Sequence, residues 1–180
     1  MKMNEKDCKH NASYIEYGFD VTSYKKREEE IAEQIEYIKN CNDEDILLDV
    51  VRDYDKDVSV RIAACDRITA EYRLNYLLAA STLSRNEDEL MIALHIVPRI
   101  KDQELINDTM QDFLFTTFLV SSRGELIANA ILCITKVSIL EEFIRYAEST
   151  GRIGLSVIES AYNRLIVLNE EKQNTKSEGG

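Results

Sequence analysis

Asp55-Lys56-Asp57-Val58-Ser59-Val60-Arg61-Ile62-Ala63-Ala64-Cys65-Asp66-Arg67-Ile68 is the stretch on which the reading of the fold turns. An acidic turn leads into Val60-Arg61, and Ala64 and Cys65 stand four and three residues before Ile68. That is the spacing of one face of an α-helix. The same frame recurs on both sides. Ile38 is preceded by Ile31 and Ile35, Ile100 by Ala93, Ile96 and Val97, Ile134 by Ile127, Ala130 and Ile131, and Leu165 by Ile158, Ala161 and Tyr162. The five anchors lie 30, 32, 34 and 31 residues apart. A period of that length with two helices per unit is the mark of a helical solenoid.

A second helix is predicted after each of the first four anchors. Ile46-Leu47 with Val50-Val51, Leu74 with Leu77-Leu78, Leu105-Ile106 with Thr109-Met110, and Ile139-Leu140 with Phe143-Ile144 each form a stripe with one buried face. Polar stretches separate the helices: Asn40-Cys41-Asn42-Asp43, Ser84-Arg85-Asn86, Ser121-Ser122-Arg123-Gly124 and Ser149-Thr150-Gly151. They supply capping residues or glycine. Pro98 falls inside the third anchor helix and is expected to kink it. The sequence divides into a polar N-terminal segment (1–24) with Tyr14, Tyr17 and Phe19 as capping anchors, a repeat domain (25–168), and a disordered polar tail (169–180).

Composition agrees with an all-α chain. Of 180 residues, 44 % are hydrophobic and 31 % charged, enough for one domain with a sizeable core. Only 6 glycines and 1 proline are present, too few for a chain of strands and hairpins. The net charge of −11 disfavours nucleic acid and anionic membrane and favours a basic partner. The N-terminus has no apolar leader and no stretch approaches a membrane span, so a cytoplasmic location is expected. Cys8, Cys41, Cys65 and Cys133 are too scattered for a zinc or redox motif, and Cys65 and Cys133 fall on apolar helical positions.

The stretch 55–68 resembles the HEAT-repeat signature through Val60-Arg61, Ala64 and Ile68. Only this unit carries the motif; the third and fourth have Ala93 and Ile127 where Arg61 stands. The resemblance implies a right-handed α-α superhelix of four to five helical hairpins. It also implies that the helix bearing the motif lines the concave surface, with its arginine tying adjacent turns through carboxylates. An ordinary helical bundle with evenly spaced helices is the competing arrangement.

No catalytic constellation stands out. The two histidines, His10 and His95, are isolated, and phosphate loops and serine-hydrolase or metalloprotease motifs are missing. No catalytic residue, metal or cofactor is predicted. A HEAT-like DNA glycosylase would need a basic groove and stacking aromatics, and this acidic chain contains no tryptophan. Two rows of residues are the candidate binding surfaces. The outward positions of the second helices collect Asp49, Asp53, Tyr76, Asp108, Asp112, Glu141, Glu142 and Tyr146, an acidic ridge with Arg52 and Arg145 interspersed. One residue before each anchor stand Tyr37, Arg67, Arg99, Cys133 and Arg164, an arginine ladder that the resemblance places in the groove. Cations near helix C-termini also match the helix dipole, which gives the ladder a purely structural explanation. The rows point to different faces, and the sequence leaves both standing. Two functions follow. One is a non-catalytic protein-binding scaffold; the other is a small acidic inhibitor that neutralises a basic toxin or nuclease.

Overall fold

The computed structural model describes residues 21–83, 86–116 and 124–177. Among these the chain is all-helical. It forms α1 (Val21–Asn40), α2 (Glu44–Arg52), α3 (Val58–Arg67), α4 (Glu71–Ser81), α5 (Glu87–Ile96), α6 (Gln103–Thr116), α7 (Gly124–Cys133), α8 (Val137–Thr150) and α9 (Leu155–Ser177), with a 3-10 turn at Val97–Arg99. The expected anchor helices are α1, α3, α5, α7 and α9, and the expected second helices are α2, α4, α6 and α8.

Local chemistry sets the helix starts. Asp43 accepts the N–H groups of Asp45 at 2.9 Å and Ile46 at 3.4 Å. Asp57 accepts from the N–H and hydroxyl of Ser59 at 3.0 and 2.7 Å, Asn86 from Glu89 N–H at 2.9 Å, and Asp102 from Leu105 N–H at 3.0 Å. Each satisfies donors that the first helical turn leaves open. At the other end of α8, Gly151 adopts φ 59°, a left-handed conformation that suits glycine, and its N–H reaches Ala147 O at 3.2 Å.

A connection of the same length, three residues, follows each of the first four anchor segments, at 41–43, 68–70, 100–102 and 134–136. The anchors Ile38, Ile68, Ile100 and Ile134 are all buried, as are Ala64, Cys65, Ala93, Ala130 and Ile131. Extensive contacts join α1 to α3, α3 to α5, α5 to α7 and α7 to α9. They also join α4 to α6, α6 to α8, and each second helix to the next anchor helix. The core is therefore a continuous seam running along the chain order.

Several expectations give way. Pro98 does not bend a continuous helix: α5 stops at Ile96 and the chain tightens into the 3-10 turn, because proline lacks the N–H that would continue the ladder. The stretch from Asn169, expected to be disordered, continues α9 to Ser177. Its glutamates, lysine and glutamine are good helix formers and no proline or glycine intervenes. Tyr162, placed on the buried face, is 43 % exposed and donates its hydroxyl to Glu148 at 2.7 Å. The segment 1–24 loses its end to α1, which begins at Val21; Tyr14, Tyr17 and Phe19 lie outside the described residues, as do Ser84, Arg85 and 121–123.

Candidate functional site

Three members of the arginine row bond the end of an anchor helix that precedes their own. Arg67 donates to Cys41 O at 3.2 Å and to Asn42 Oδ1 at 2.9 Å, at the end of α1. Arg99 donates to Cys65 O at 2.7 Å and to Ile68 O at the end of α3, and Arg164 to Ile134 O at 3.0 Å after α7. Each guanidinium thus caps the carbonyl end of the preceding anchor helix, where the helix dipole favours a cation. Cys133 cannot do this. At its unit, Gln103 Nε2 donates to Cys133 O at 3.3 Å, and Asn107 accepts Thr135 N–H at 2.9 Å while donating to its hydroxyl at 3.0 Å. Tyr37, the first member of the row, stays outside this seam and is 63 % exposed.

The same joints carry further bonds about one period apart. Glu44 accepts from the Thr69 hydroxyl at 2.7 Å and N–H at 2.8 Å, and these bonds hold its carboxyl below the usual range. Asp66 meets His95 at 2.5 Å, Glu71 meets Lys101 at 3.1 Å, and Lys136 bonds Glu104. The Glu104 contact raises the Lys136 ammonium. The thiol of Cys65, enclosed in the core, is pushed up to about 12 by burial, and burial also raises Cys133.

Of the acidic ridge, Asp49, Asp108, Asp112, Glu141 and Glu142 are exposed and Asp53 is half-buried. Asp108 lies 3.9 Å from Lys136 Nζ. Tyr146 is half-buried instead, with its ring 5.7 Å from that of Phe115. Three ridge residues share one concavity. Asp49, Asp53 and Tyr76 line a groove of about 360 Å³ between α2 and α4, whose floor holds Arg61 and Glu89.

That groove has a structural cause. Arg61 stands seven residues before its anchor, where the other four units carry Ile31, Ala93, Ile127 and Ile158. It is 2 % exposed, donates to Val51 O at 2.7 Å at the end of α2, and forms an ion pair with buried Glu89 at the start of α5. The Tyr54 ring lies over its guanidinium, 4.9 Å from centroid to carbon. α2 and α4 do not pack extensively on each other. They are joined by Arg73 of α4, which meets Glu44 at 3.5 Å and Asp45 at 2.7 Å. Two further arginine–tyrosine pairs border the gap, Arg52 over Tyr76 at 5.7 Å and Arg73 over Tyr72 at 5.6 Å.

Sequence reasoning missed Tyr54, Tyr72, Arg73 and Glu89. A signal existed for Glu89: it precedes Ile96 by seven and Ala93 by four, on the apolar stripe of α5. Tyr54 and Tyr72 had none, because they stand off the apolar stripes from which the helices were read. Among the described residues, no group of three or more histidine, cysteine or acidic side chains is placed to hold a metal ion, and no helix is long and apolar enough to cross a membrane. Comparison with protein families, curated proteins and solved structures gave no match.

Proposed function

We propose that the chain is a non-catalytic protein-interaction module, a HEAT-like helical repeat wound as a right-handed superhelix, that meets a basic protein surface through its second helices. Three-residue connections at regular intervals, contacts between successive anchor helices, and polar joints one period apart support the repeat architecture. The observation that carries the choice of face is the different state of the two rows. Arg67, Arg99 and Arg164 bond backbone carbonyls about one period earlier, whereas Asp49, Asp108, Asp112, Glu141 and Glu142 keep exposed side chains, Asp108 within 3.9 Å of Lys136. With −11 charges overall, the ridge favours encounter with a cationic partner.

The runner-up, an acidic inhibitor of a basic toxin or nuclease, draws on the same charge. Affinity capture with the full chain, followed by mass spectrometry, separates them. A scaffold is expected to retain a protein with a basic surface and no lethal activity. Capture of a toxin or nuclease whose activity falls on addition of the chain favours the inhibitor. Turnover of a substrate by the purified chain contradicts both.

A further inference from the structure

We infer that the groove between α2 and α4 receives an arginine side chain from an extended basic segment of the partner. This placement rests on the acidic-ridge reading and narrows it to one unit of the chain.

The groove floor is neutral by construction. Arg61 and Glu89 pair with each other, and the Val51 carbonyl takes a further guanidinium N–H. A buried pair of this kind fixes geometry at a desolvation cost, and an apolar residue fills the same position in the other four units. Here the pair holds the Tyr54 ring at the groove edge, where it remains 59 % exposed. Tyr76 stands on the α4 wall, 47 % exposed. The charges on the walls are then Asp49, Asp53 and Arg52. Asp49 makes no ion pair with a described residue, Asp53 faces Lys56 at 3.8 Å, and Arg52 lies over Tyr76. Lys56 offsets Asp53 and Arg52 is held over Tyr76, so Asp49 is the wall carboxylate left to meet an incoming cation.

The chemistry that fits is a planar cation. A guanidinium stacks on tyrosine faces and presents a donor fork to a carboxylate. Three of the protein's own arginines lie over tyrosine rings around the gap, and two of them, Arg61 and Arg73, also pair with carboxylates. A lysine ammonium offers no plane, and an acidic segment would meet Asp49 and Asp53. A volume of about 360 Å³ admits a side chain from an extended segment and not a folded element.

The test is an NMR titration of the full chain with tetra-arginine, tetra-lysine and tetra-citrulline peptides, following the tyrosine ring signals. Tetra-arginine is expected to shift Tyr54 and Tyr76 and to bind more tightly than tetra-lysine, with tetra-citrulline showing little effect. Asp49→Asn and Tyr76→Leu, both at exposed positions, are each expected to weaken tetra-arginine by roughly two- to fivefold. Shifts confined to α6 and α8, equal binding of tetra-lysine, or no loss in either variant would overturn the groove assignment. A captured partner that is lost on reversing Asp108, Asp112, Glu141 and Glu142, yet binds the two groove variants normally, keeps the ridge and removes the groove. A partner indifferent to all six positions removes both.

Discussion

At the position seven residues before the anchor, α3 carries Arg61 and α7 carries Ile127, and the surroundings diverge accordingly. Ile127 is buried beside Ala130 and Ile131 in an apolar setting. Arg61 is buried as well, yet it draws Glu89 into the interior, and the flanking helices α2 and α4 are joined through Arg73 and its carboxylates. One polar residue in an otherwise apolar frame thus coincides with a tyrosine-lined groove. Within the proposed repeat, a departure from the apolar frame marks a candidate site of function.

The largest test of that contrast removes half of the buried pair. Arg61→Leu alone leaves Glu89 uncompensated and is expected to cost about 3–5 kcal/mol in chemical denaturation. The double variant Arg61→Leu, Glu89→Leu is expected to recover most of the loss, because apolar replacement of a whole buried pair is often neutral or stabilising. A double variant as unstable as the single one would show that the groove floor depends on the charges themselves. A smaller effect separates the joints of the seam. Arg99→Ala removes charge-assisted bonds to two carbonyls and is expected to cost about 1.5–3 kcal/mol, whereas Gln103→Ala removes one exposed neutral bond worth about 0.5 kcal/mol. Equal melting points for the two variants would deny the arginines their capping role.

The smallest effect concerns acid. Hydrogen bonds from Thr69 and Ser59 lower Glu44 and Asp57 in the folded state. A carboxylate lowered on folding stabilises fully above its unfolded pKa, and the contribution fades as pH falls through the folded value. Thr69→Val with Ser59→Ala is therefore expected to be slightly less stable than the parent at neutral pH. The gap should close as pH drops below the carboxylate range. A gap that persists at low pH would assign the loss to packing.

The helices and their spacing were legible because burial imposes a 3.6-residue period on each anchor segment, and Ile38, Ile68, Ile100 and Ile134 all lie in the core. The ladder was legible as a row but not as a set of joints, since its acceptors belong to the backbone of another unit. Tyr162 and the stretch beyond Asn169 were misread for related reasons. Helical spacing puts Tyr162 on the apolar stripe but does not reveal that its hydroxyl reaches Glu148, and polarity alone does not separate a solvated helix from a coil. Arg73 reaches Glu44 and Asp45 on another helix and Tyr54 lies over Arg61, contacts between segments that no local pattern encodes.

The central claim is that the acidic ridge, and not the arginine ladder, meets the partner. Stopped-flow or surface-resonance kinetics with the captured partner test it most directly. Charge steering is screened over about 8 Å at physiological ionic strength, so the association rate is expected to fall as salt rises while dissociation changes little. Reversing Asp108, Asp112, Glu141 and Glu142 to lysine is expected to lower the association rate. Reversing Arg67, Arg99 and Arg164 to glutamate is expected to lower stability more than binding by the folded fraction. Association that ignores both salt and the ridge reversal, or that is lost only with the ladder reversal in a variant that remains folded, would contradict the account.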